Sequence, residues 1–397
     1  CVIFGNNIVV SKDIKIGDVL LYFVSGTKLN EEYCKRNNLL DKAELNADVT
    51  KRGFISSKSF RIKAVKLKNI ISDGLLLPIY SLLHFCDINS FKVGDTFTCI
   101  NGNTLCEKYI LPQKTSINGA NTPKQINKLT DILIDGQFKF HYQTEHFSRN
   151  LHKFKLSDEI VITSKLHGSS GILAKVKVKK ILSWKDKIAK FFGISVVDSE
   201  YKGIWSSGKP RNQLPKGIEN NYKNPGNGYY KEDIWKIAFE DLKHAIEPGI
   251  TLYGELVGSH IQKNFDYTKL HSQNFDYGFL IYRITRTNDI GFTDEFSWNQ
   301  IEAYCDKHDL QTVPLLYKGF INNWFKHVGI NPDLPMNNYF NYFESEYLER
   351  DCIYSYNKVP DEGVCIRKEN TFEVFKLKSK KFVLAESSIE EPNIEDN

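Results

Sequence analysis

For its first 110 or so residues the chain shows no helical period, only short β-branched and aromatic runs divided by turn signals. Such a stretch can bury an apolar face only by pairing strands. Ile8–Val10, Val19–Val24, Phe60–Lys68 and Thr96–Ile100 are the strand candidates. Two turns echo one another, Ile14-Lys15-Ile16-Gly17-Asp18 and Phe91-Lys92-Val93-Gly94-Asp95, each ahead of a candidate strand. Within Phe60–Lys68 the apolar alternation Phe60, Ile62, Ala64 slips by one to Val65, Leu67, which predicts a bulge that re-aims the strand. Small five-stranded barrels bend their strands in this way.

Residues 113–133 carry Pro, Gly, Asn, Thr and Lys without period and read as a linker. Beyond it the pattern is mixed. Ser183 with Asp186 predicts a capped helix whose Trp184, Ile188, Phe191 and Phe192 share a face before Gly193 ends it. A second helix is expected over Asp233–Ile246, closed by Pro248-Gly249, and strands at Ile250–Tyr253, Phe279–Ile284, Gly363–Arg367 and Phe372–Lys378. The end of the chain, Ser387–Asn397, is an acidic, polar tail.

With 25 % charged and 41 % hydrophobic residues, a chain of 397 residues has core enough for two or three domains and is neither disordered nor fibrous. No run approaches the roughly 18 apolar residues that span a bilayer, and no basic-then-apolar leader opens the chain, so we expect a soluble intracellular protein, cytoplasmic or in a nucleoid or viral setting. Cys at position 1, with Met336 the single methionine, leads us to expect further sequence before it. The eight cysteines lack zinc-ligand spacing and read as free thiols. A net charge of +5 permits a polyanion partner and shows nothing more.

The chemistry concentrates in Ile160-Val161-Ile162-Thr163-Ser164-Lys165-Leu166-His167-Gly168-Ser169-Ser170-Gly171. Lys165 ends an apolar strand ahead of a glycine-rich turn, so its amine emerges at the mouth of a sheet. Partly desolvated near other cations, it would have a lowered pKa and become a nucleophile. Taken alone it is a surface lysine beside a turn. Four other segments change that balance. Glu255 lies near two glycines, Gly254 and Gly258, at a strand end. Phe275–Ile284 is an aromatic-dense strand, Asp361-Glu362-Gly363 opens another with carboxylates, and Phe375-Lys376-Leu377-Lys378 puts two lysines on one side of a strand.

Lys165-Leu166-His167-Gly168 resembles the nucleophile motif, Lys-x-Asp/His-Gly, of the covalent nucleotidyltransferases, which include ATP-dependent polynucleotide ligases and mRNA capping enzymes. The later segments resemble the remaining motifs in order. Histidine at position 167, together with Gln137–His141 leading to Asn150 and the N-terminal Phe60–Lys63 through Ile71–Pro78, is similar to ATP-dependent RNA ligases that carry an N-terminal OB module. The likeness runs from about Ile8 to Glu386. It implies an α+β chain: an OB-like barrel over 1–112, the linker over 113–133, and a nucleotidyltransferase domain of antiparallel sheets with flanking helices over 134–397.

The resemblance further implies ATP and Mg²⁺ or Mn²⁺, with AMP carried on Lys165 and passed to a 5′-phosphate end that a 3′-hydroxyl then attacks, in an RNA repair setting. Glu255 and Glu362 would bind the metal and orient the ribose, and Lys376 and Lys378 would stabilise charge on the α-phosphate and the leaving pyrophosphate. Gly168 belongs to the nucleotide-binding turn, and His167 would hydrogen-bond near the ribose or phosphates rather than ligate metal. Phe279 would stack on adenine, with core packing as its alternative. Arg211, or else Lys209, would contact the ribose where relatives have arginine and this chain has Gly208. Ser164 stands where many relatives carry glutamate.

The expected partner is RNA, or an RNA/DNA hybrid, with 5′-phosphate and 3′-hydroxyl ends. No membrane partner is expected, and the chain is expected as a monomer. Arg61, Lys63, Lys66 and Lys68 would suit a nucleic-acid backbone, or form an ordinary solvated strand face. An RNA-capping guanylyltransferase, a DNA ligase and a catalytically inactive nucleic-acid-binding relative remain alternatives. The first two usually place the OB module after the catalytic domain.

Overall fold

The computed structural model describes residues 1–67, 69–109, 133–139, 142–207, 234–259, 261–262, 264–270, 277–327, 346–369, 371 and 373–389. The chain divides into two compact units, one made of Cys1–Lys114 with Ser379–Asn397 and the other of Thr115–Lys378.

The first unit is sheet-rich, but no closed barrel forms among its described residues, and the OB-like barrel expected is not confirmed. Among the described residues it consists of five separate antiparallel pairings: Val2–Ile3 with Asn6–Asn7, Leu20–Phe23 with Leu75–Pro78, Thr27–Leu29 with Cys106–Lys108, Val65–Leu67 with Ile70–Ser72, and Cys99–Ile100 with Asn103–Thr104. Strands of two to four residues cannot run continuously around a barrel. The two echoing turns form as read: the Asp18 and Asp95 carboxylates each accept from the amide three residues back, at 2.8 Å, and Gly17 and Gly94 take φ near +100°. In Phe60–Lys68 the slip of alternation breaks the strand rather than bulging it. Phe60 turns to φ +52°, the Arg61 backbone bridges to that of Lys28 with Phe60 and Ile62 hydrogen-bonded to the Gly26–Leu29 backbone, and Val65–Leu67 pairs separately with Ile70–Ser72. Arg61 is buried against the Tyr109 ring, 4.9 Å from its centroid, so it is absent from the solvent-facing basic surface expected of it; Lys68 lies outside the described residues. A short helix, Glu31–Arg36, capped by Asn30, packs Tyr33 and Cys34 into the unit's core beside Leu29, Leu40 and Ile55.

The second unit holds two sheets. Its strands are β1 (Glu145–His146), β2 (Glu159–Ser164), β3 (Ser169–Lys179), β4 (Ser199–Ser206), β5 (Ile250–Gly258), β6 (Tyr277–Thr287), β7 (Thr293–Glu295), β8 (Gln311–Thr312), β9 (Leu315–Phe320), β10 (Gly363–Lys368) and β11 (Val374–Lys378). Its named helices are α1 (Trp184–Phe191), α2 (Ile234–Leu242), α3 (Trp298–His308) and α4 (Ile321–His327). One sheet has the order β1-β11-β10-β2-β9, and the other β4-β3-β5-β6-β7 with β8 added along β6. All pairings are antiparallel except β1 with β11 and β8 with β6.

The period-two pattern explains which faces close. On the first sheet Ile160, Ile162, Val364, Ile366, Phe375 and Leu377 point together into a core completed by Trp324 and Phe325 of α4. This turns Thr163, Cys365, Lys376 and Lys378 to the other face. In β3, Ala174, Val176 and Val178 are buried while Lys175, Lys177 and Lys179 alternate outward. Behind the site, a run of buried charges ties the two sheets together. Glu295 pairs with Arg283 at 3.1 Å and with Arg367 at 2.8 Å, and Arg367 pairs with Glu369 at 3.0 Å. Tyr142 lies over the Arg283 guanidinium at 4.1 Å.

Candidate functional site

Lys165 is pinned through its own amide and that of the residue before it. Its own amide donates to the Gly363 carbonyl and the Ser164 amide to the Pro314 carbonyl, each at 2.9 Å, so the side chain leaves the end of β2 in a fixed direction. Its Nζ meets the Glu362 carboxylate at 2.7 Å. The same Oε1 receives Lys378 Nζ at 3.3 Å, making one carboxylate the bridge between two ammoniums. Gly363, at φ +135°, makes this approach possible. A Cβ there would lie 2.0 Å from the Leu377 carbonyl oxygen, so only glycine lets β10 start this close to β11.

Glu362 is 3 % exposed, and burial alone would raise its pKa; Lys165, then Lys378 and His167, overcome that and hold it below the ordinary carboxylate value. For Lys165 burial is the largest single contribution and acts downward, as the sequence reading expected, but the Glu362, Cys365 and Glu255 charges with the Glu362 hydrogen bond together outweigh it. The amine therefore sits above the ordinary lysine value and not below it. In this state Lys165 is an ammonium. The largest of these opposing charges, Glu362, is 197 residues away in sequence, beyond the reach of local pattern.

The turn after Lys165 is equally determined. The Gly168 amide donates to Glu255 at 3.1 Å and its carbonyl accepts from Gln262 at 2.9 Å. A Cβ on Gly168 would meet the Leu256 carbonyl oxygen at 2.2 Å. The His167 amide donates to the Tyr267 hydroxyl at 3.2 Å, its ring stands edge-on to Phe265 at 4.7 Å, and its Nδ1 lies 3.8 Å from Glu362 Oε2. Glu255 is directly opposite Ser170 in the β3–β5 ladder, and the Ser170 hydroxyl is 3.3 Å from that of Tyr282. Burial, aided by Glu255, pushes the Tyr282 phenol up to about 12, so it is a neutral hydroxyl at physiological pH. Lys376 lies across from Cys365 on β10 and His146 on β1, on the strand face shared with Lys378.

The structure thus gathers Lys165, His167, Gly168, Glu255, Glu362 and Lys378, with Lys376 alongside. It does not bring Phe279 to them. That ring packs where Cβ atoms of Gly171 and Gly254 would be, at 2.8 and 2.6 Å, beside Trp235 of α2; these glycines alternate with Ser170 and Glu255 and so occupy the opposite face of the sheet. Core packing, the alternative weighed for Phe279, is what the geometry gives. Tyr282 stands on the Glu255 face instead: Leu280 pairs with Glu255, and Tyr282, two residues on, shares that side of the strand ahead of the register shift at Tyr253/Gly254. Arg211 and Lys209 lie outside the described residues.

A sequence model of the RNA ligase family matches residues 158–383. Three solved structures of the Naegleria gruberi RNA ligase are similar over nearly the whole chain. Its lysine-to-methionine mutant with AMP and Mn has 16 % identity and a TM-score of 0.55, covering 96 % of this chain and 90 % of that one. A lysine-to-alanine mutant with ATP and Mn has 16 % identity and a TM-score of 0.55, over 96 % and 91 %. An aspartate-to-alanine mutant in the apo form has 16 % identity and a TM-score of 0.56, over 97 % and 91 %. At such identity the likeness speaks for the fold. No curated protein matches by sequence.

Proposed function

The chain belongs to the RNA ligase family, and on that premise we propose that it is an ATP-dependent enzyme that seals 5′-phosphate to 3′-hydroxyl ends of RNA through lysyl-AMP on Lys165. The observation that carries this is Lys165 Nζ held 2.7 Å from a buried carboxylate whose other near cation is Lys378. The Naegleria structures with ATP or AMP and Mn support the choice of nucleotide and metal.

The residues present fit a divalent cation. Glu362 Oε2 is buried without a hydrogen-bond partner. Among the described residues no group of three or more His, Cys, Asp and Glu side chains could hold a metal by themselves. Glu362, with Glu255 near, would hold a hard cation, which would supply positive charge to the reacting phosphates.

Lys165 must lose a proton before it can attack. Nothing in the resting site lowers its pKa except burial, and that is opposed by Glu362. Burial is the chain's own contribution toward the free amine, and a cation held at Glu362 would add positive charge beside it. The amine then attacks the α-phosphorus, the N–P bond forms, and the bond to the β-phosphate oxygen breaks to release pyrophosphate. Lys376 and Lys378 offer cations to the developing charge, while the turn at Gly168, fixed by Glu255 and Gln262, positions the nucleotide. A 5′-phosphate end next displaces lysine from AMP, and a 3′-hydroxyl displaces AMP. Tyr282, on the Glu255 face, takes the base-contact role expected of Phe279.

The test is incubation with Mg²⁺ and α-labelled ATP, beside labelled GTP and a Lys165→Ala variant, with denaturing separation and then addition of nicked or broken RNA. Label from ATP that stays on the protein, is lost in Lys165→Ala and chases into sealed RNA supports the reading. Label from GTP, or none on a folded protein, overturns it.

A further inference from the structure

The helix α1 was legible in sequence as an amphipathic element with an apolar face, and its capping box forms as read: the Asp186 amide donates to Ser183 Oγ at 3.2 Å and the Ser183 amide to the Asp186 carboxylate at 3.0 Å. Yet that face covers nothing. Trp184, Ile188, Phe191 and Phe192, with Ile181, Ile194 and Val197 on either side of the helix, are each between 48 % and 85 % exposed, and no residue of α1 is buried. Surface apolar residues normally occur singly, and a contiguous group marks a contact surface.

The charges around it are ordered. Projected at about 100° per residue, Trp184, Ile188, Phe191 and Phe192 span a sector of about 100°. Lys185 and Lys187 stand on its two borders, and Asp186 and Lys190 lie away from it. Residues 179–198 carry five lysines, Lys179, Lys180, Lys185, Lys187 and Lys190, against Asp186 and Asp198. A lysine on each border of an apolar sector can rest its stem on the apolar surface and send its ammonium to a phosphate beside it. Three aromatics and four aliphatics share this surface, and the lysines on both borders of the apolar sector, matched to an anionic surface over an apolar interior, favour a lipid bilayer as the occupant. The patch also extends past both ends of the helix, wider than the stripe a groove would clasp.

We propose that α1 with its flanks docks the protein onto anionic lipid bilayers, lying in the headgroup region with Trp184, Ile188, Phe191 and Phe192 inserted and Lys185 and Lys187 on lipid phosphates. The sequence excluded a membrane because no run could span one; a helix lying in the interface needs no such run. The proposal is independent of the ligase reading.

The test is co-sedimentation of the full chain with vesicles of phosphatidylcholine alone and with phosphatidylserine added, at low and high salt, beside Ile188→Asp/Phe191→Asp and Lys185→Glu/Lys187→Glu variants whose circular dichroism melts match the parent. The result expected is binding to the serine-containing vesicles that weakens with salt and falls at least about fivefold in each variant. No vesicle binding, or binding that the variants leave unchanged, overturns the proposal. So does an apolar face that turns out occupied by a second copy, seen as a dimer in light scattering that the Asp variant dissolves, or by RNA, seen as oligonucleotide affinity lost in the same variant without any lipid binding.

Discussion

Replacing Glu362 by Gln removes a negative charge 2.7 Å from Lys165 Nζ and 3.3 Å from Lys378 Nζ. Between unit charges 2.7 Å apart, Coulomb's law gives about 6 kcal/mol at an effective dielectric of about 20 and about 1.5 kcal/mol in bulk water. The Lys165 side chain is 25 % exposed, so the operative value falls between these limits. At about 1.4 kcal/mol per pKa unit, even the lower limit moves the lysine by about one unit. The direction is fixed by what is lost: burial, the largest contribution, stays and acts downward, while of the upward contributions only Cys365 and Glu255 remain. We expect the pKa of the Lys165 amine to fall. Reductive methylation with a ¹³C label and NMR titration, the signal assigned by its loss in Lys165→Ala, reads this without requiring activity. A Lys165 signal that titrates in the variant at or above its wild-type value would falsify the account of the resting site. Self-adenylylation of the variant falls nonetheless, since Glu362 is also the carboxylate proposed to hold the cation.

The same pair sets a pH window for stability. Glu362, lowered from 4.5, contributes stability present above that value and lost as pH falls through its folded pKa; Lys165, raised from 10.5, contributes stability present below that value and lost as pH rises through its folded pKa. Melting temperature against pH should decline at both ends, and less so in Glu362→Gln. Gly168→Ala pushes a Cβ to 2.2 Å from the Leu256 carbonyl oxygen and should cost about 1–3 kcal/mol in chemical denaturation, with self-adenylylation down at least about tenfold. Phe279→Ala empties a core position and should cost about 3–5 kcal/mol, whereas Tyr282→Ala should raise the ATP concentration for half-maximal labelling with a smaller change in melting; the reverse pattern would return the base contact to Phe279. Glu295→Gln leaves Arg283 and Arg367 buried without their shared carboxylate and should destabilise by about 3–5 kcal/mol, read by urea unfolding.

Lys165, Glu362 and Lys378 were legible because each sits at a strand end or on a strand face whose local pattern is unambiguous, and their order along the chain matched a known set. Their mutual distances were not legible, nor was the sign of the Lys165 shift, because both depend on strands nearly 200 residues apart. The face Phe279 takes was not legible either: two aromatics three apart on one strand sit on opposite faces, and which of them meets Glu255 is set by the β5–β6 register, where Glu255 pairs with Leu280. Tyr267, Gln262 and the Glu295 cluster carry no local signal, since an isolated tyrosine, glutamine or glutamate looks like any surface residue. The N-terminal strands were found in part, at Leu20–Phe23, Val65–Leu67 and Cys99–Ile100, but the barrel was not, because strand length and closure are settled by pairing partners rather than by propensity. The apolar period of α1 was read correctly as a helix, and its exposure was invisible, since periodicity reports that a face is apolar and not what covers it.

The shared carboxylate also sets the polarity of the first chemical step. Lys165, Glu362 and Lys378 together sum to one positive charge, two ammoniums against one carboxylate, a resting state that welcomes a polyphosphate. On the proposed reading, AMP on the lysine nitrogen would replace that ammonium with a phosphate anion, and these three side chains, leaving any bound cation aside, would then sum to one negative. The same cradle would favour the triphosphate before the step and disfavour the pyrophosphate and a second nucleotide after it, so that its own net charge would record whether it had been loaded.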